Sequence, residues 1–287
     1  MRIWHQSFTD LSRMPLYRRT LEEHAAKTVS AETNVAVHGL RPGTYGEDFA
    51  PIDAIKYRYL ESLNEDQLCE AALAAEREGF DALAIGCFFD PALRAARSLV
   101  DIPVVSLAET CMLVACSYGR KFAVVTLCGD ESANLLDICE HYGLERRLAG
   151  ILSMDPPIDE YTLEAEDEST VEVEEGFAHA CARAFELGAE VIVPGDGVLN
   201  EFLYRRGMSN VNGATVMDSI AVLFSYAEML VRLRETTGMT VSRRQMYLKP
   251  PESMLRFGRD FADRTALTEA DFSGSAATTR KGVSTTR

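Results

Sequence analysis

The segment Gly79-Phe-Asp-Ala-Leu-Ala-Ile-Gly86-Cys87 is answered 109 positions later by Gly188-Ala-Glu-Val-Ile-Val-Pro-Gly195-Asp196. The two align without a gap. Each has a helix-ending glycine, an acidic residue, a short apolar strand, and then a glycine followed by a polar head. The head is a thiol in one copy and a carboxylate in the other. At the same offset, Ser106-Leu-Ala-Glu109-Thr110 falls on Thr215-Val-Met-Asp218-Ser219. Two matches at one offset point to an internal duplication. Two related half-sites facing one cleft suit the movement of a proton at a single carbon.

Outward from these segments, strands and helices alternate. Strands are expected over residues 2–5, 34–38, 81–85, 104–105, 122–127, 149–153, 190–193 and 211–215. Asn64-Glu-Asp-Gln67 reads as a helix start, with Leu68, Ala71, Ala72 and Ala75 as its apolar stripe and Gly79 as its stop. Further helices are expected over 91–99, 109–118, 131–142, 170–187 and 218–234. Strands alternating with helices imply an α/β fold whose parallel sheets are covered on both faces. The duplication divides it into two pseudo-symmetric domains, 1–105 plus 216–242 and 106–215, with the active site in the interdomain cleft. Residues 243–287 read as an accessory C-terminal segment. Its end, Ser273 to Arg287, is small, polar and basic, and is expected to be disordered.

A chain of 287 residues with 47% hydrophobic content can bury a large core. No apolar run reaches transmembrane length, and the N-terminus lacks a secretory pattern, so a cytoplasmic location is expected. The net charge of −15 argues against nucleic acid or an anionic membrane as partner. A small-molecule substrate is expected, and a homo-oligomer is compatible with the sequence. The seven cysteines form no CxxC pair and the histidines are not grouped with them, so no metal site is expected. The sequence has no GxGxxG or P-loop, and no lysine lies in the strand-end loops.

At Gly86-Cys87-Phe88-Phe89-Asp90-Pro91-Ala92-Leu93-Arg94-Ala95-Ala96-Arg97 the chain resembles the Asp/Glu/hydantoin racemase superfamily. Hydantoin racemases carry a similar Cys-Phe-Gly-Asp-Pro-Gly-Leu stretch. Pro103-Val-Val-Ser-Leu-Ala-Glu109 and Phe122-Ala-Val-Val-Thr126 are similar to the family as well, and the likeness covers about residues 1–240. The resemblance implies two similar α/β domains, a cleft between them, no cofactor, and a cysteine from each domain facing the substrate's α-carbon. This chain has the first cysteine. Gly195-Asp196-Gly197-Val198 stands where hydantoin racemases show Gly-Cys-Ala-Gly. Trp4-His5-Gln6-Ser7 replaces the family's Asn-Pro-Asn. Arylmalonate decarboxylases share the superfamily fold and use one cysteine, from the second domain.

Racemisation needs an acid and a base on opposite faces of a carbon acid. Cys87 and Asp196 are the expected catalytic pair. The turn leading into a helix at Pro91 is expected to favour the Cys87 thiolate. Burial is expected to raise Asp196. Ligands bind outside strand carboxyl ends. That places His5, Gln6, Ser7, Phe88 and Phe89 from the first domain around the substrate, with Thr126, Gly195 and Gly197 from the second. Glu109 and Asp218 read either as substrate-binding groups or as helix caps. Trp4 and Tyr45, with the two phenylalanines, read as pocket lining or as core. Three other readings stay open. Asp196 binds a substrate N–H while Cys87 alone delivers a proton, as in a decarboxylase. Or Cys87 is the nucleophile of a cyclic imide or amide hydrolase, with His5 as its base. Or the chain is a two-domain binding protein, against which a thiol at a strand end argues.

Overall fold

Nine strands form two sheets among the described residues, which are 1–165 and 169–262 of this computed structural model. The first sheet comprises β1 (Arg2–Ser7), β2 (Asn34–His38), β3 (Ala82–Gly86) and β4 (Val104–Ser106). Its order is β2-β1-β3-β4, all parallel. The second comprises β5 (Phe122–Thr126), β6 (Leu148–Ser153), β7 (Val191–Pro194), β8 (Asn210–Val211) and β9 (Ala214–Val216), in the order β6-β5-β7-β9-β8. Without β8, the second order repeats the first. Every residue of β3, β5 and β7 is buried, as strands covered on both faces require.

Ten α-helices accompany these strands: α1 (Pro15–Thr28), α2 (Pro51–Ile55), α3 (Arg58–Arg77), α4 (Leu93–Leu99), α5 (Leu107–Tyr118), α6 (Ser132–His141), α7 (Ser169–Glu186), α8 (Gly197–Arg205), α9 (Ser219–Thr237) and α10 (Glu252–Ala262). α3 buries the expected stripe of Leu68, Ala71, Ala72 and Ala75. α9 buries Ile220, Leu223, Phe224, Ala227 and Val231 and packs on β3, β4, α1 and α5. Each large apolar side chain so buried contributes about 1.5–3 kcal/mol.

The structure departs from the sequence reading in several elements. α3 begins at Arg58, so Asn64-Glu-Asp-Gln67 lies inside the helix and not at its start. The single strand expected over 211–215 is a hairpin: β8 and β9 run antiparallel through Asn212 and Gly213, both left-handed at φ 52° and 92°. α4 begins at Leu93 because Asp90 and Ala92 are themselves left-handed, at φ 46° and 54°. α5 begins at Leu107, before Glu109. Helices α1, α2 and α8 were not anticipated.

The compact body runs from Met1 to Leu248, and α10 belongs to the segment that starts at Lys249. Residues 243–248 stay with the body through Arg243, whose guanidinium donates to the Arg97 carbonyl at 2.8 Å and pairs with Asp101. The expected disorder of Ser273 to Arg287 lies outside the described residues. No helix among the described residues is long and apolar enough to cross a membrane.

Candidate active site

The two sequence heads meet. Cys87 follows β3, and Asp196 follows β7 and caps α8. Gly197 lies so close to the first head that a Cβ placed there would sit 3.5 Å from the Gly86 carbonyl oxygen, 3.6 Å from Leu107 Cδ1 and 2.9 Å from the Tyr17 hydroxyl. A side chain here would be crowded by the Tyr17 hydroxyl, while the Gly86 carbonyl and Leu107 lie at ordinary contact distance. Gly86 is equally constrained from beneath, where an added Cβ would meet His5 Cε1 at 2.4 Å. The contact joins the glycine before Cys87 to the glycine after Asp196, and it brings the two heads near each other from the two sheets.

Cys87 is buried, 9% exposed, and the Phe89 amide donates to its Sγ at 3.5 Å. Burial pushes the thiol well above its ordinary range, and the Phe89 amide opposes this. The charges of Glu61, Asp196 and Asp90 push it further up. Cys87 is therefore a thiol, and the expected thiolate is not favoured. Asp90 accepts the Ala108 and Glu109 amides at 3.0 and 2.9 Å and the Tyr142 hydroxyl at 2.5 Å. Burial raises Asp90 to about 6, and these partners restrain it.

Asp196 Oδ1 accepts the Leu199 amide at 2.8 Å. Burial raises its carboxyl, while the amides of Leu199, Val198 and Gly197 hold it down. Tyr17, on α1, is pushed far up by burial and then by the charges of Asp196 and Glu201, so it stays a phenol and can donate. Ser7, in register with Gly86 across β1 and β3, lies beside it. Tyr45 donates to the Phe8 carbonyl at 2.6 Å, and burial keeps it neutral.

Three buried glutamates complete the surroundings. Glu61, in the first turn of α3, pairs with Arg58 at 2.6 Å, yet burial raises it to about 7. Glu131 and Glu160 follow β5 and β6, and burial pushes both well above the carboxylate range. The Asp196 charge adds to each. Over these strand ends lies the segment 41–57. Arg13 donates to the Gly46 and Glu47 carbonyls at 2.6 and 2.8 Å, and Tyr161 donates to the Phe49 carbonyl at 3.2 Å.

The other expected site residues fall into distinct places. Thr126 is buried at the end of β5 with its hydroxyl unpartnered, and Gly195 packs against Val124. His5 packs between Gly86 and the Phe224 ring, 5.4 Å away, with both ring nitrogens unpartnered. Burial and then the charge of His38 lower its pKa to about 3. A neutral ring wedged under the strand is poorly placed to act as a base for the thiol. Gln6 accepts from Trp4 Nε1 at 3.0 Å and donates to the Ser7 carbonyl. Trp4 stacks on His38, while Phe88 and Phe89 are buried in the core. Glu109 forms a two-pronged pair with Arg97 and faces a cavity of about 540 Å³ beside Asp90 and Tyr142, and Cys87 does not line that cavity. Asp218 caps α9 through the Ala221 amide at 3.0 Å and holds His24 Nε2 at 3.0 Å. Glu109 is not a cap; Ser106 starts α5 one turn earlier than the repeat suggests.

His24 is a residue that sequence reading missed. Its ring, 2% exposed, joins Glu201 of α8 at 2.9 Å to Asp218 of α9 and stacks on Tyr204. Burial opposes its charge, but the two carboxylates outweigh burial and raise it to about 9. The clamp fixes α8, the helix that Asp196 caps. A seven-residue step on α1, from Tyr17 to His24, was the available signal, since it returns to the same face. Glu61, Glu131 and Glu160 carried no signal, because acids in helix starts and loops ordinarily face solvent.

The profile of the Asp/Glu/Hydantoin racemase family matches residues 17–227. The chain belongs to this family. As a family member it is a racemase-type enzyme, an isomerase. A hydantoin racemase from Pseudomonas sp. (strain NS671) is 29% identical over 246 residues, covering 83% of this chain and 91% of that protein. Among solved structures, allantoin racemase from Klebsiella pneumoniae superposes with a TM-score of 0.69 at 23% identity, covering 93% of this chain and 96% of its own. An arylmalonate decarboxylase shares the racemase-family fold at a TM-score of 0.51 and 16% identity, over 86% of this chain and 96% of its own.

Proposed function

We propose that this racemase-family chain exchanges the proton on an acidic carbon next to a carbonyl, in a hydantoin-like substrate, using its own side chains and no cofactor. Cys87 and Asp196 act from opposite faces of that carbon. The observation that carries this reading is the contact of Gly197 with the Gly86 carbonyl, which brings a thiol and a carboxylate together from two lobes. The lobes are read as 1–105 plus 216–242 and 106–215.

The pair shares one removable proton. With Cys87 as thiol and Asp196 as carboxylate, Asp196 takes the carbon's proton and Cys87 donates to the opposite face. That leaves a thiolate and a carboxylic acid, the form suited to the other enantiomer. Burial raises both groups, so Asp196 is a stronger base than an exposed aspartate and the thiolate is a strong base. Tyr17, held as a phenol, is suited to donate to the developing enolate oxygen.

The single-cysteine decarboxylase reading draws support from one fact, the protonated state of Cys87. The deciding experiment follows solvent deuterium into each enantiomer of a hydantoin by proton NMR. Exchange from both, lost in Cys87→Ser and sharply slowed in Asp196→Asn, is expected. Near-normal exchange in Cys87→Ser removes the reading, and release of CO₂ from an arylmalonate replaces it with the decarboxylase.

A further inference from the structure

β6, β5 and β7 are neighbours in the second sheet, and each is followed by an acid: Glu160 and Glu131, both buried, and the half-buried Asp196. Glu131 is 3% exposed and Glu160 2%. One carboxyl oxygen of each, Oε2, has no hydrogen-bond partner, and Thr126 Oγ1 at the end of β5 is unpartnered as well. Buried carboxyl oxygens left alone are costly, so a fold that retains two in one place points to a ligand that satisfies them. Among the described residues neither glutamate forms an ion pair with a lysine or arginine; the nearby cations Lys56 and Arg58 are engaged with Asp130 and Glu61.

From this arrangement we propose that Glu131 and Glu160 form a subsite for an organic cation, an ammonium or guanidinium group carried on the substrate's side chain. The inference rests on the proposed racemase reading for the reacting end of that substrate, with the cation reaching past Asp196 along the strand ends. Among the described residues no three His, Cys, Asp or Glu side chains are grouped to hold a metal ion. A spread pair of carboxyls suits several N–H donors on an extended group better than one compact ion. Burial and the Asp196 charge favour the protonated acids when the site holds no cation. An arriving cation therefore displaces protons, which gives the subsite a signature of its own.

The test compares four hydantoins on the full chain, bearing aminobutyl, guanidinopropyl, butyl or carboxyethyl substituents, by deuterium exchange. Both cationic substrates are expected to exceed the butyl one in kcat/KM by about tenfold or more, with the carboxyethyl one lowest. In Glu131→Gln/Glu160→Gln the ratio of cationic to butyl rates should fall toward one. Separately, butylammonium and butylguanidinium are titrated calorimetrically near neutral pH in two buffers of different ionisation heat. Proton release on binding is expected in the wild type and absent in the double variant. If hydantoins exchange without preference for the cation and the amines do not bind, the subsite is wrong and the racemase reading stands. If no hydantoin exchanges yet butylammonium binds with proton release, the reverse holds. The wild-type comparisons decide even when the double variant fails to fold.

Discussion

Replacing His24 with leucine keeps most of the side-chain volume but removes both donors of a buried clamp. In the wild type the ring holds Glu201 Oε1 at 2.9 Å and Asp218 Oδ2 at 3.0 Å. Glu201 is fully buried, its second oxygen is already unpartnered, and only the Asn200 amide at 3.2 Å would remain on the first. Leaving one charge of a buried pair uncompensated costs about 3–5 kcal/mol, so His24→Leu is expected to lose that much near pH 7. The pH dependence gives a second measure. His24 rises from 6.5 to about 9 on folding. Because the folded value is the higher one, its stabilising contribution is complete below pH 6.5 and disappears as pH climbs through about 9. The gap corresponds to about 3 kcal/mol. Urea unfolding followed by Trp4 fluorescence, from pH 6 to about 10, should show wild-type stability falling by about that amount more than His24→Leu does, since the other buried groups titrate alike in both. Glu201→Gln added to His24→Leu should restore part of the loss. An identical pH slope in wild type and His24→Leu would refute the charged clamp, whatever the size of the stability loss.

Three further outcomes follow from the same geometry. Native Cys87 should react with iodoacetamide slowly at pH 8, because burial and surrounding carboxylates favour the thiol, and Asp196→Asn should speed alkylation by removing one of those charges. Arg13→Ala should speed it too, since the guanidinium ties the covering segment through the Gly46 and Glu47 carbonyls; an unchanged rate, read by mass spectrometry, argues that the segment does not guard the thiol. Gly197→Ala should destabilise by about 1 kcal/mol in urea unfolding and depress deuterium exchange more than stability alone explains, because its Cβ, 2.9 Å from the Tyr17 hydroxyl, pushes that donor aside.

The parallel sheets were legible because their signal is local. Continuous apolar runs such as Ala82–Ile85 and Val191–Val193 suit strands buried on both faces, and the glycines that close them mark ends. The repeat of Cys87 and Asp196 was legible for the same reason. The hairpin turn at Asn212-Gly213 was present as a local signal and was read through as one strand. α1 and α8 escaped notice because each mixes buried polar groups with apolar ones: His24 and Thr20 on α1, Asn200 and Glu201 on α8. A polar residue on a buried face blurs the amphipathic pattern until its partner on another helix is known. Glu109 and Asp218 occupy equivalent repeat positions but unlike roles, since α5 starts at Leu107 and α9 at Ser219.

By itself the sequence determined the alternation of strands and helices, the duplication, and which side chains stand at the paired strand ends. These depend on residues close together in the chain. Only the tertiary structure decided that Gly197 lies against the Gly86 carbonyl, that the Cys87 proton is held rather than released, and that the buried Glu131 and Glu160 feel the charge of Asp196. Proximity between distant segments, and the loss of water that raises an acid's pKa, exist only once the chain has packed.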